Sequence, residues 1–280
     1  MPITRPFEPP DLDQALAVFF DAFEIADTSL EAYLRARFSH LLRTDPQGAW
    51  VALDAGGNVG GVATAIRRGS LWALSVLAVA KGAQNRGAGR ALFERALGYA
   101  RPEDARLILS SDDPRAQRLY KHAGLRQRRA HEGKGRIDRA RLPASAGVSA
   151  AGAESLGLCE EVDRIARGHA RRTDLEFMIG PGGRELWVID DRRGRGYVIT
   201  GSERLFALAA TTEPVARDLL RHALALAGDG DYQVSFVGEQ QRWAREVFSE
   251  AGIELAPRGA IFTSGAVPRW DLFIPNPALG

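Results

Sequence analysis

The sequence predicts a mixed α/β fold of two tandem domains, each a twisted, mostly antiparallel sheet flanked by helices. Three observations predict it. The first half alternates helical and β-prone stretches in the order helix, helix, three strands, helix, strand, helix, strands, the pattern of helices covering one central sheet. Residues 143–155 (PASAGVSAAGAES) replace both apolar periodicity and charge with small residues, the composition of a flexible linker. Beyond that stretch the chain repeats itself weakly. The expected domains are therefore 1–142 and 156–280, joined by a linker at 143–155.

Residues 11–23 place Leu12, Leu16, Phe19, Phe20 and Phe23 at helical spacing, and 33–42 reads as a second helix. The β-prone runs 50–53 and 59–66 flank Asp-Ala-Gly-Gly-Asn, whose glycines accept the positive φ of a hairpin turn. A third strand, 71–79, follows a turn at Gly69. Residues 82–89 break the pattern, and 90–100 resume it as a helix through Leu92, Ala96 and Leu97. After a short strand at 107–111, Pro114 opens a helix at its favoured first position with Asp113 as N-cap, and Gly124 ends it.

The chain has 280 residues, with 37 Lys and Arg against 35 Asp and Glu. That balance argues against nucleic acid or an anionic membrane as a bulk partner. One stretch, 126–141 (RQRRAHEGKGRIDRAR), is locally basic; it could attract an anionic partner, and it reads more simply as a solvated hairpin. The single cysteine, Cys159, excludes an intrachain disulfide and has no companions at metal-ligand spacing, so no metal is expected. The N-terminus lacks the apolar region of a signal peptide, and no run approaches the ~18 apolar residues of a membrane span. A soluble, cytoplasmic protein is expected.

The chemistry sits in Gln84-Asn85-Arg86-Gly87-Ala88-Gly89-Arg90. Two glycines one residue apart let the backbone approach a bulky anion, and the free N–H groups of the following helix start point at it. Taken alone, such a turn also serves to join a strand to a helix. The P-loop pattern is absent, as are the full Rossmann glycine pattern and its βαβ repeat.

In context the turn is more specific. Leu77-Ala78-Val79, then Gln84-x-x-Gly87-x-Gly89 and Leu92, resembles the acetyl-CoA signature of the GNAT superfamily of acetyltransferases. Asp113-Pro114-Arg115-Ala116-x-x-Leu119-Tyr120-x-x-x-Gly124-Leu125 is similar to that superfamily's second motif, commonly Asn-x-x-Ala-x-x-Leu-Tyr followed by Gly-Phe. Both stand in the family's order and spacing. Lys81 occupies a place where the family often has proline, and Asp113 replaces the frequent asparagine. That substitution brings negative charge near a polyanionic ligand and points to helix capping rather than ligand contact.

The resemblance implies an acetyl-CoA-dependent N-acetyltransferase acting on a small-molecule or peptide amine. It implies that backbone groups of Leu77 and Val79, with Ala78 between them, hold the pantetheine arm. The amides of Asn85, Arg86, Gly87, Ala88, Gly89 and Arg90, following Gln84, would receive the pyrophosphate, helped by the Arg86 and Arg90 side chains. Tyr120 matches the family's usual acid for the departing thiolate; from the residues alone it reads as a core tyrosine on the helix 114–123. His122 faces away from it and reads as a surface histidine. The family's base is often a Glu just upstream of Leu-x-Val, yet 71–76 contains no carboxylate or imidazole. Water, Glu24 or Asp27 of the early helices, or a group from the second half must serve.

At a single offset of 128 positions, Ala251-Gly252-Ile253 matches Ala123-Gly124-Leu125, Ala244 falls on Ala116, Val247 on Leu119, Leu220 on Leu92 and Leu205 on Leu77. With small gaps, 186–190 parallels 50–54 and 196–200 parallels 60–64. The second half thus resembles a diverged GNAT domain. The chemical positions are lost: Thr212 stands at Gln84, Val215 at Gly87, Arg217 at Gly89 and Phe248 at Tyr120, and phenylalanine cannot donate a proton. Tandem GNAT proteins usually pack their copies as an intramolecular pseudo-dimer, which implies a monomer whose silent copy completes the acceptor pocket. Trp243, Trp270, Phe273 and the tail 274–277 read as core residues, with pocket or interface roles as the alternative. A non-catalytic acetyl-CoA sensor, or a module for another phosphorylated ligand, stays open beside the enzyme.

Overall fold

The computed structural model describes residues 2–27, 30–180, 184–266 and 269–279. The chain runs through one ten-element order twice. The first pass is β1 (Ile3–Pro6), α1 (Leu12–Phe23), α2 (Glu31–Thr44), β2 (Ala49–Leu53), β3 (Val59–Arg68), β4 (Leu71–Val79), α3 (Ala88–Leu97), β5 (Ala105–Ser110), α4 (Pro114–His122) and β6 (Arg126–Gly135). The second is β7 (Ser149–Ala151), α5 (Leu156–Arg167), α6 (Arg172–Ile179), β8 (Glu185–Asp191), β9 (Gly194–Thr200), β10 (Leu205–Ala210), α7 (Glu213–Ala225), β11 (Tyr232–Gly238), α8 (Arg242–Glu250) and β12 (Ala256–Ser264), with a short β13 (Phe273–Ile274) after it. The repeat expected from a few matched residues is present element for element.

Two compact units divide the chain: Met1–Ile108 with Ala278–Gly280, and Leu109–Pro277. In the first, β1, β2, β3 and β4 pair antiparallel in sequence order, and β5 joins β4 in parallel, with α3 as the crossover that a parallel pair requires. Period-two alternation on β3 decides which helix covers which face. A Cβ on Gly61 would meet Leu92 Cδ1 of α3 at 2.9 Å, so Gly61 and Ala63 face α3. Val62, Thr64 and Ile66 face the other way and are buried under α1 and α2, which also pack on β3. There Phe19 of α1 meets Phe38 of α2 edge-on at 6.0 Å, and Phe38 meets Phe7 at 5.7 Å.

Two polar ties fix this unit. The fully buried Trp72 of β4 donates its indole N–H to the Ala96 carbonyl of α3 at 3.0 Å. Asp45, just past α2, accepts from the Arg67 amide and the Arg68 guanidinium at 2.9 Å each, from Tyr99 OH at 3.2 Å and from Thr44 Oγ1 at 2.7 Å.

In the second unit β12, β6 and β11 form an antiparallel ribbon with β6 in the middle, and β13, β10, β9, β8 and β7 form a second sheet. Its core gathers Val215, Leu219, Leu220 and Leu224 of α7 with Trp243, Val247 and Phe248 of α8. The basic stretch is therefore not a hairpin. Arg126, Arg128 and Arg129 are exposed along β6, while Ala130 and His131 are buried and His131 Nδ1 lies 3.2 Å from the Val237 carbonyl. Within 143–155, read above as linker, Ser149–Ala151 pair with Leu186–Val188 of β8. Trp243, Trp270 and Phe273 are core residues: the Trp243 N–H reaches the Asp271 carbonyl at 2.6 Å, and Trp270 lies 5.0 Å from Phe273. In the tail, Asn276 Nδ2 donates to the Phe206 carbonyl at 3.0 Å.

Candidate active site

The first unit shapes one end of β4 in an unusual way. Opposite β3 the register runs Thr64↔Val76 and then Ala65↔Leu74, so Ser75 is the extra residue of a β-bulge, a device that turns a strand away from its neighbour. The parallel pairing to β5 stops at the same place, at Leu74↔Ile108. Past it, among the described residues, β4 pairs only with β3. The Ala80 amide donates to the Gly60 carbonyl of β3 at 2.9 Å; by alternation, the backbone groups of Val79 and Leu77 turn away from β3, toward the side β5 has left. Ala78 is buried between them. Gln84 Nε2 takes the Val79 carbonyl at 3.1 Å and so pins the next loop against the strand end.

That loop is a single turn at Lys81–Ala83 followed by Gln84, Asn85, Arg86 and Gly87. Asn85 at φ 62° and Gly87 at φ 84° both adopt left-handed backbone, a conformation natural to Gly and tolerated by Asn. Gly87 is the N-cap of α3, and no side chain caps this helix. The first helical bond is Ala91 N–H to the Gly87 carbonyl at 3.0 Å, so the amides of Ala88, Gly89 and Arg90 have no partner within the helix. Asn85, Arg86 and Gly87 are exposed. Arg90 reaches along the helix to Glu94 at 2.8 Å. A Cβ on Gly89 would sit 3.6 Å from Val79 Cγ2, an ordinary contact, so packing within the protein does not demand glycine there.

Lys81 is held by the end of α1. Its amide donates to Asp21 Oδ2 at 2.6 Å, and its ammonium pairs with Glu24 at 2.6 Å. The Lys81 partner holds the exposed Glu24 carboxyl below its usual range, which weakens it as a base. Asp27 is exposed.

In the second unit, Asp113 caps α4 as expected: its carboxylate accepts from the Arg115 amide at 2.8 Å and pairs with the Arg115 guanidinium, which holds its pKa low. Tyr120 is buried on α4, its ring edge-on to Phe262 of β12 at 5.3 Å. Burial, and then the charge of Asp113, raise its pKa, so the phenol stays protonated. His122 is exposed, its Nδ1 2.7 Å from the Arg118 carbonyl.

The second copy has lost more than two glycines. Only Thr211 and Thr212 separate β10 from α7, so the long loop between β4 and α3 has no counterpart. Val215 is fully buried, and a Cβ on Gly196 would meet its Cγ1 at 2.7 Å. Arg217 pairs with Glu213 at 3.0 Å and also with Glu246. Glu213 puts a carboxylate in the first turn of α7, where it answers the helix dipole and repels an anion. Phe248, at the position of Tyr120, is fully buried. Among the described residues no three His, Cys, Asp or Glu side chains converge as metal ligands, and no helix is long and apolar enough to cross a membrane.

A bulged strand that parts from its parallel neighbour, followed by an uncapped glycine-rich helix start, leaves backbone groups open at one end of the sheet. Residues 12–125 match the acetyltransferase (GNAT) family. Among solved structures, a Pyrococcus horikoshii protein described as an acetyltransferase superposes with a TM-score of 0.82 at 19% identity, covering 100% of this chain and 96% of that one. A GCN5-related N-acetyltransferase from Sphaerobacter thermophilus gives 0.62 at 18%, covering 95% and 96%. A tandem GNAT protein from the clavulanic acid biosynthesis pathway gives 0.55 at 18%, covering 96% and 99%. No curated protein sequence matches at a significant level. Residues 12–125 thus match the GNAT acetyltransferase family, and the chain as a whole shares the fold of a tandem GNAT protein.

Proposed function

We propose that the protein is an acetyl-CoA-dependent N-acetyltransferase with one working copy, the first. The observation that carries this reading is the contrast between the two helix starts. That of α3 is uncapped, glycine-lined and free of acid; that of α7 is shortened, filled by Val215 and occupied by Glu213. The first can take a pyrophosphate on its amides, and the second cannot.

In this reading the backbone of Leu77 and Val79, flanking Ala78, lies along the pantetheine. The amides from Asn85 to Arg90 take the pyrophosphate, and Gln84 keeps the loop in place. Arg86 is free to swing onto the phosphates, and Arg90 can leave its exposed pair with Glu94, which is worth little in water. Acetyl-CoA supplies the activated acetyl thioester. Tyr120 delivers its phenolic proton to the departing sulfur, a role that its raised pKa favours at neutral pH by keeping the proton in place. With no carboxylate in 71–76 and Glu24 held by Lys81, water removes the proton of the incoming amine. The chain works in the cytoplasm as a monomer, its second copy standing in for a partner subunit in a pseudo-dimer. Thiol release from acetyl-CoA across a panel of amines tests the reading: amine-dependent release is expected, whereas binding without release would favour a sensor.

Truncation after Pro143 should abolish activity. β6 lies between β12 and β11, so a fragment 1–143 keeps this strand and removes both neighbours, leaving two unpaired edges prone to aggregation. A soluble, folded fragment that acetylates at the full-length rate would show that the second copy is dispensable.

A further inference from the structure

One buried charge in the first unit is unaccounted for. Arg37 points from the apolar stripe of α2, beside Leu34, Phe38 and Leu41, and is only 8% exposed. Its guanidinium lies 5.1 Å from the centroid of Phe19 and 5.6 Å from that of Phe38. Tyr33, one turn earlier, hydrogen-bonds to it, and among the described residues no carboxylate offsets its charge; burial pushes its pKa down more than Tyr33 restores it. Both Nε and Nη2 are buried without a hydrogen-bond partner. These two nitrogens share one edge of the guanidinium, the edge that engages the two oxygens of a carboxylate.

The surroundings add to this. Thr64 of β3, on the face covered by α1 and α2, buries a hydroxyl with no partner, and so does Ser75 at the bulge of β4. Thr64 pairs in register with Val76, the residue after Ser75, and Ser75 is two residues before Leu77. Four polar atoms on three side chains of the first unit are thus left unsatisfied, two of them on the paired strands β3 and β4, whereas native proteins normally satisfy buried polar groups. A single unpaired guanidinium is costly to keep in an apolar setting. It is matched by a monoanion; a phosphate dianion would need a second cation, and none of these neighbours supplies one.

We propose that Arg37 anchors a carboxylate carried by the acceptor, so that the amine acetylated is that of an amino acid or a related amino carboxylate. This rests on the acetyltransferase reading and deepens it. Thr64 and Ser75 offer hydroxyls to the same ligand on the β3–β4 side, next to the strand end where the thioester is proposed to lie.

Two measurements test the proposal. Calorimetric binding of the N-acetyl derivatives of the twenty amino acids, each compared with its decarboxylated N-acetyl amine and an N-acetyl aminoalkyl phosphate, requires no turnover. At least one carboxylate should bind about 100-fold more tightly than its decarboxylated partner. That preference should collapse in Arg37→Met and be only partly kept in Arg37→Lys, which retains charge but not the two-point edge. Melting temperature gives the control: removing an unpaired buried charge should leave Arg37→Met as stable as the wild type or more so, whereas a purely structural arginine would lower it. Equal binding of carboxylates and decarboxylated amines, preference for the phosphate, no binding by any carboxylate, or a preference that survives Arg37→Met overturns the proposal. Should carboxylates bind through Arg37 while acetyl-CoA gives no thiol release with any amine, the site stands and the acetyltransferase reading fails.

Discussion

Gly89→Arg is expected to weaken acetyl-CoA binding by at least about 1,000-fold while leaving the protein folded. Gly89 is in the first turn of α3, its Cβ position 3.6 Å from the nearest side-chain atom, and its backbone is helical, so a side chain fits the protein itself. Replacing Gly by Arg inside a helix even gains up to about 1 kcal/mol of propensity. The space is needed only by a ligand, and Arg217 fills the corresponding place in the second copy. Gly87→Ala should behave differently. At φ 84° any other residue is strained by about 1–2 kcal/mol, so both stability and affinity should fall. Calorimetry and thermal melts on the two variants separate these effects; unchanged affinity in Gly89→Arg would remove the phosphate site from this loop.

Tyr120→Phe should lower kcat by roughly 10²- to 10⁴-fold, the usual contribution of a general acid, with little change in melting temperature. The ring would keep its edge contact with Phe262, and Phe248 shows that the fold accepts phenylalanine on the equivalent helix. Because burial and Asp113 raise the phenol pKa, the acid form persists above the usual titration range near 10. Wild-type kcat should therefore show no loss from phenol ionisation as pH rises toward 10. An unchanged kcat in the variant, measured with acetyl transfer rate-limiting, would leave Tyr120 as a core residue only.

What the sequence revealed follows from how local each signal is. β4 at 71–79 is found with the bounds expected, because Gly69 and Gly82 bracket a continuous β-prone run; α1 and α4 fall within one residue of expectation, set by apolar spacing and by Asp113-Pro114. The stretch 126–141 reads as a hairpin, a strand paired with its own continuation, and that pairing is what the structure corrects. β6 pairs instead with β11 and β12, which lie far along the chain, and no local pattern encodes that. The bulge at Ser75 was equally invisible, since it exists only in the register with β3. Likewise, α7 begins three residues before the point that corresponds to α3, because Pro214 favours an early first turn. Arg37 did leave a trace: a lone cation at helical spacing among Leu34, Phe38 and Leu41. Its significance emerges only when the absence of a counter-charge around it is known.

The first copy is proposed to bind acetyl-CoA and the second to have lost the means. Titration of acetyl-CoA into the full-length chain by calorimetry counts the sites. One site per chain is expected, and no site once Gly87 and Gly89 are replaced by valine and arginine, the residues at the matching positions of the second copy. Two sites per chain, or a single site that survives the double replacement, would contradict it.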